Sequence, residues 1–437
     1  MAGPGLLAGR GFEDLERTIR QQVMAFAARW LERVLNRDHS DCQGSSTSCS
    51  CGHEARYAGR RAKRFTCALG TLRLERAYYH CSACNRGFCP RDRTLGMQHT
   101  RLSPTLTRMI GQVGALVSFA EGSDLLHELA GVKVNVKLVE RTAEALGEAI
   151  GADEQHHTPA GAAPAPTMYL GLDGTGIPMR PAELAGRPGK QADGSARTRE
   201  VKLAVAWSAE SRDPDGVAVR DAGSVRYSGA IESAASHDTN LEPSVFAKRV
   251  CRHARRTGFD QAARQVILGD GAGWIWNIAD EYFPDAIQIV DLFHAKGHLW
   301  DVARVLYGPT SELGEQWAKN RRDELDQGNL DDLIDTLADH ADTHEEARRC
   351  LGYIERNRHR MDYPRFRAMG LCISTGVVEA GCKVAIGTRL KRAGMRWTVT
   401  GANAIIALRC CKLSGQFDRY WQRRSEQTVL GRHAGAA

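Results

Sequence analysis

Between Gln265 and Asn277 the chain reads QVILGDGAGWIWN, an aliphatic run closed by Gly-Asp-Gly and followed at once by a helical pattern. A buried strand that empties through glycines into a helix is the building unit of open α/β sheets. It puts Asp270 at the carboxyl end of the strand, where such sheets hold their ligands. An aspartate between glycines also suits a plain turn, because its carboxylate bonds nearby main-chain amides. Which reading wins depends on whether other acids reach the same place.

Two other acids are candidates. TMYLGLDGTGIPMR predicts a strand ending at Asp173, joined through a polar loop over 180–199 to a second strand in REVKLAVAWSAE, and VRYSGAIES predicts a third. Residues 241–258 read as helix, and DAIQIVDLFH predicts a further strand with Asp291 and His294 at its end. A charged helical block spans about 300–370, GVVEAGCK opens a helix carrying Glu379, and Gly401–Trp421 reads as a last amphipathic helix. The expected class is α/β, a mixed sheet interrupted by an all-helical insertion. Asp173, Asp270 and Glu379 are hard oxygen ligands, and several carboxylates with few other groups suit Mg²⁺ or Mn²⁺ in phosphoryl transfer. Trp274 and Trp276 are expected to pack the helix after Asp270 onto the sheet.

The N-terminal part has different chemistry. Residues 11–37 form an amphipathic helical pattern in which Phe12, Leu15, Ile19, Val23, Phe26, Trp30 and Val34 recur at three and four, a face expected to pack. Six of the thirteen cysteines fall between Cys49 and Cys89, while Cys251, Cys350, Cys372, Cys382, Cys410 and Cys411 sit in apolar contexts that predict buried fillers. Cys49-Ser-Cys51 and Cys81-Ser-Ala-Cys84 flank an alternating hairpin pattern turning at Gly70, as in a zinc ribbon, where two knuckles bring four thiolates into a tetrahedron. The tight first knuckle leaves Cys42 or His53 open as replacements for Cys49.

SFAEGSDLLHELAGVKVNVKLVERTAEALGEAI predicts a helix ending at Gly131, a short turn, and a helix from about Asn135. That spacing fits a helix-turn-helix with Asn135, Lys137, Glu140 and Arg141 on the recognition helix, although an αα-hairpin has a similar pattern. GADEQHHTPAGAAPAP, residues 151–166, reads as a linker. The expected organisation is a helix over 1–40, a zinc-ribbon-like module over 41–100, a helix-turn-helix over 101–150, and an α/β domain over 167–437.

The net charge of +7 is clustered. From Arg56 to Arg76 seven bases (Arg56, Arg60, Arg61, Lys63, Arg64, Arg73, Arg76) meet one acid, Glu75; from Ala380 to Leu413, Lys383, Arg389, Lys391, Arg392, Arg396, Arg409 and Lys412 meet none. Such runs suit a polyphosphate partner. No apolar stretch has the roughly 18 residues a membrane span requires. The expected location is the cytoplasm, at the nucleoid when the chain is bound to DNA.

The passages LGLDGTGIPMR, GRPGKQADGSARTREVKLAVAW, LGDGAGWIWNIADEYFPDAIQIVDLFHAKGHLW, GVVEAGCK and RLKRAGMRWTVTGANAIIALRCCKLSGQFDRYW resemble the ISKra-type bacterial insertion-sequence transposases. RRAKRFTCALGTLRLERAYYHCSACNRGFCPRD resembles that family's cysteine-rich segment, so the likeness covers nearly the whole chain. The resemblance implies an RNase H-like core with a DDE triad on Asp173, Asp270 and Glu379. It also implies binding to terminal inverted repeats and target DNA, metal-dependent cleavage and strand transfer, and, by analogy, a homo-oligomer on DNA. Asp291-Leu-Phe-His294 is similar to an acid-x-x-His motif of related transposases in which the histidine approaches the DNA or the active site. The family's first knuckle is usually C-x₂-C, and here Ser48 stands where its first cysteine would be. Two rival readings keep part of this chemistry: a catalytically inactive zinc-dependent DNA-binding regulator, and an RNase H-like nuclease without strand transfer.

Overall fold

The first helix, α1 (Phe12–Arg37), lies on an antiparallel sheet of four strands in the order β1 (Ser46–Ser48), β2 (Glu54–Cys67), β3 (Gly70–Cys81), β4 (Arg86–Phe88). The computed structural model describes residues 11–156, 165–189, 191, 194–234, 243–374 and 376–433. Alternation in β2 and β3 sends Phe65, Cys67, Leu72 and Leu74 to one side, where Ala28 of α1 and Met97 complete a small core edged by Leu31 and Leu35. The apolar face read from the sequence is not the one that packs. Phe12, Ile19, Val23, Phe26, Trp30 and Val34 are all exposed, and the sheet is covered by the opposite side of the helix.

A short helix, α2 (Pro90–Thr94), precedes three longer ones: α3 (Pro104–Leu116), α4 (Phe119–Ala130) and α5 (Val136–His156). Ser118 and Glu121 form a capping box that starts α4, and Gly131 closes it in the left-handed conformation. A Cβ on Gly122 would meet Val113 of α3 and Val139 of α5, so the three helices meet there. Helix α5 runs through residues 151–156 of the expected linker, and 157–164 lie outside the described residues.

The chain divides into two compact units, Met1–Leu146 with Gly415–Ala437, and Gly147–Ser414. The second is built on a five-stranded sheet ordered β11 (Ile287–Val290), β10 (Arg264–Gly269), β5 (Thr167–Pro178), β6 (Thr198–Ser208), β9 (Arg226–Ala230). β5, β6 and β9 are antiparallel, while β10 and β11 run parallel to β5. A two-stranded hairpin, β7 (Ser211–Arg212) with β8 (Ala218–Val219), bridges β6 and β9 in sequence. The first six residues of β5 are all buried, as a central strand covered on both faces requires. β5 does not stop at Asp173. It continues to Pro178 because Thr198–Leu203 of β6 extends the ladder that far.

Helices α6 (Val245–Thr257) and α7 (Gly273–Tyr282) flank β10, and α8 (Leu292–Tyr307) follows β11. The predicted helical block consists of α9 (Glu312–Gln327), α10 (Leu330–Ala341), α11 (Glu345–Asn357) and α12 (Tyr363–Ala368). The chain returns to the sheet through α13 (Gly376–Gly381), a π-helical turn (Cys382–Gly387) and α14 (Thr388–Leu390). The last predicted helix is two, α15 (Val399–Leu413) and α16 (Phe417–His433), separated at Gly415, which adopts a left-handed φ of +67°. No helix among the described residues is long and apolar enough to cross a membrane.

Candidate active site and cysteine cluster

β5 and β10 pair in parallel from Arg264 opposite Thr167 to Leu268 opposite Gly171, and Asp173 and Asp270 each lie two residues past that last pair, Asp270 just beyond the end of β10. Asp173 shares a face of β5 with Gly171, and a Cβ at Gly171 would lie 1.9 Å from the Val378 side chain. The bare glycine therefore lets α13 lie directly on β5, carrying Glu379 next to the contact residue. Glu379 is itself exposed. One turn on, Cys382 lies near enough to Asp173 for the two groups to affect each other's ionisation. The sequence marks Cys382 only as a filler; it is buried, and its ionisation is coupled to that of the acid.

Burial pushes the Asp173 carboxyl above its ordinary value; the Cys382 thiol and the Gly174 amide oppose that, the nearby charge of Asp270 adds to it, and His294 opposes it. A buried acid whose ionisation a neighbouring carboxylate makes costlier is a fitting place for a cation. The Asp270 carboxylate also accepts from the Ala272 amide at 2.9 Å, the turn bond expected of an aspartate between glycines. The turn and site readings are thus compatible. Among the described residues, however, the three acids do not approach one another as closely as the cysteine cluster does.

His294 is exposed in the first turn of α8, its ring 4.8 Å from that of His298 and 6.3 Å from that of Tyr353. Asp291 is wholly buried and caps α8 by accepting from the His294 amide, which gives it a structural task. Tyr353 reaches from α11 into the same place, a contact with no signal in the sequence. Trp276 is buried with the Arg360 guanidinium 4.6 Å from its ring centre, and Trp274 packs edge-on to Phe246.

The basic run of the C-terminal segment splits in two. Lys383, Lys391, Arg392 and Arg396 are exposed, and the Lys391 ammonium donates to Thr175, two residues past Asp173 on the same face of β5. Arg389 belongs to the other group and corrects the sequence reading. It is fully buried with its guanidinium 5.4 Å from the centre of the Trp397 ring and cannot reach a phosphate. Arg409 is buried too, donating to the Val384 and Ala385 carbonyls that the π-helical turn displaces.

Of the expected recognition-helix residues, Asn135 caps α5 by accepting from the Leu138 amide at 2.8 Å. Lys137 pairs with Glu140 at 2.7 Å, and Arg141 is exposed.

In the N-terminal unit the sulfurs of Cys49, Cys51, Cys81 and Cys84 all lie within 4.8 Å of one another. Cys49 is 3.6 Å from Cys84, and Cys51 is 3.6 Å from Cys81. Tetrahedral arms of about 2.3 Å require sulfurs ~3.8 Å apart, so the cluster could bind zinc. The Cys51 amide holds the Cys49 thiol down at about 6, while burial and the neighbouring sulfurs push Cys84 up to about 12. Four thiolates cannot coexist there without a cation. Cys42 instead receives a hydrogen bond from the Tyr79 hydroxyl at 3.9 Å, and His53 lies beside Cys51 but outside the quartet.

No family model matches the chain, and no curated protein matches it. Among solved structures it is similar to the Drosophila P element transposase strand transfer complex, over 76% of this chain and 83% of that one, with 10% sequence identity and a TM-score of 0.26.

Proposed function

We propose that the chain is a DDE transposase of the ISKra type. On this reading it binds the terminal inverted repeats of an insertion sequence, hydrolyses a phosphodiester at each end, and joins the freed 3′-hydroxyl to target DNA. The observation that carries the reading is that Asp173 and Asp270 each lie two residues past the last pair of adjacent parallel strands, beside the helix that carries Glu379. The mixed sheet, three strands antiparallel and two parallel to the first, supports the RNase H-like core that the resemblance implies. Asp173, Asp270 and Glu379 would hold Mg²⁺ or Mn²⁺, which supplies charge stabilisation and an activated oxygen nucleophile.

The remaining groups do work of their own. Lys391, anchored on Thr175, sets a positive charge where the strand phosphates must enter, with Lys383, Arg392 and Arg396 beyond it. His294 is close enough to act on Asp173 electrostatically, which suits a role next to the scissile phosphate. The cysteine quartet, with zinc, would stabilise the module after α1, and α3 to α5 with Lys137 and Arg141 would form the helix-turn-helix contact to the repeats. The acting form is a homo-oligomer on DNA.

The test is strand cleavage and joining on DNA that carries the element ends, with Asp173→Asn, Asp270→Asn and Glu379→Gln. Each is expected to lose cleavage by orders of magnitude while retaining end binding, and the double variants should be hardly worse than the singles because the three act as one unit. An Asp270→Asn protein that still cuts removes the reading.

A further inference from the structure

We propose that α1 is a self-association helix, its exposed stripe pairing antiparallel with the same stripe of a second copy. Phe12 is 81% exposed, Phe26 65% and Trp30 63%, with Ile19, Val23 and Val34 exposed beside them. Scattered exposed apolar residues are ordinary, but a continuous stripe of large ones is a docking surface. Phe12, Val23 and Val34 are spaced by eleven residues, as are Leu15 with Phe26 and Ile19 with Trp30. An eleven-residue repeat has 3.67 residues per turn, close to the natural period, so the stripe stays on one side along the helix. The fold does not need this face, since Ala28, Leu31 and Leu35 on the other side pack on the sheet.

Length, area and charge favour a second copy. Twenty-six residues give a rod of about 39 Å. Six side chains each exposing on the order of 100 Å² bury ~1,200 Å² in a pair, the lower end of the range for specific interfaces. The first turns carry Glu13, Asp14 and Glu16 against Arg17, a net −2, and the last carry Arg29, Arg33 and Arg37 against Glu32, a net +2. An antiparallel pair sets acid against base at both ends, whereas a parallel pair sets like against like. Centred between Met24 and Ala25, the antiparallel pair also matches Leu15 with Val34, Ile19 with Trp30, and Val23 with Phe26 of the other copy. This inference does not depend on the catalytic reading.

The experiment is sedimentation equilibrium of the full zinc-loaded chain without DNA, so its outcome is independent of cleavage. The wild type is expected to dimerise at concentrations on the order of 10 μM, and the Val23→Ala, Phe26→Ala, Trp30→Ala triple variant to dissociate at least about ten-fold more readily. Alanine favours helix, so unchanged circular dichroism and zinc content should accompany the loss. Reversing the acidic end with Glu13→Lys, Asp14→Lys and Glu16→Lys should weaken association too. A monomeric wild type overturns the proposal, including the case where the triple variant merely melts earlier because the stripe packs within its own chain. A triple variant as dimeric as the wild type also overturns it, and a charge-reversed chain that associates as well as the wild type overturns the antiparallel arrangement.

Discussion

The Tyr353 hydroxyl donates to the main-chain carbonyl of Asp270 at 3.0 Å. A helix of the block inserted between β11 and α13 thereby fixes the loop that presents the second acid. Gly271 makes the contact possible: its φ is +96°, and a Cβ there would lie 2.4 Å from the tyrosine ring. Gly271→Ala meets both the strained backbone, about 1–2 kcal/mol, and the ring. Tyr353→Phe loses only a hydrogen bond, about 1 kcal/mol. Melting should therefore fall clearly for the first and slightly for the second, with strand cleavage following the same order. Equal cleavage in Gly271→Ala and wild type would show that the insertion does not hold the loop.

A second prediction comes from the raised carboxyl of Asp173. A group that binds its proton more tightly in the folded state stabilises the fold at low pH. That contribution is fully present below the unfolded value, near 3.9, and is lost as pH rises through the higher folded one. At neutral pH the buried charge is a cost. Asp173→Asn should thus melt higher than wild type at pH 7, should lack the loss of stability across that acidic window, and should be inactive. Mg²⁺ should raise the melting temperature of the wild type and leave the variant unmoved. A variant that melts lower at pH 7 would mean that the Gly174 amide bond to Asp173 outweighs the cost of the buried charge.

The cysteine quartet predicts about one zinc per chain. Cys49→Ser should lose it together with the packing of Tyr79 and Cys81, whereas Cys42→Ser and His53→Ala should keep it. Ligation needs thiolates, so acidification should release the metal with uptake of protons. Metal analysis with a pH titration of bound zinc checks both parts, and full zinc in Cys49→Ser would move the fourth ligand elsewhere.

Asp270 is legible in the sequence because glycines bracket it and an aliphatic run leads to it. Asp173 is legible as an acid in a strand, but the strand's true end depends on a ladder with Thr198–Leu203, far along the chain. Periodicity shows that α1 has a large apolar stripe and cannot say what covers it; the sheet takes the smaller residues opposite. Cys382 and Tyr353 are illegible for a common reason. Their roles arise from contacts between elements distant in sequence, in one case through a π-helical turn whose offset no regular period anticipates.

The basic run of the C-terminal segment gives the last prediction, because one stretch of sequence holds two kinds of arginine. Arg389 and Arg396 stand seven residues apart, one wholly buried over Trp397 and one exposed. Arg389→Ala removes a packed cation from the interior and should cost about 2–4 kcal/mol of stability, with DNA affinity falling only as folded protein is lost. Lys383→Ala, Lys391→Ala, Arg392→Ala and Arg396→Ala should leave melting nearly unchanged. Each should weaken binding to any DNA sequence by a similar factor and reduce the salt slope of log K by about 0.9, the counterion released per phosphate contact. Lys391→Ala should also slow cleavage by bound protein, since its anchor on Thr175 places it beside Asp173. Binding isotherms over a series of salt concentrations, set beside melting curves, separate the two classes. An unchanged salt slope in all four exposed variants would take this surface away from the DNA.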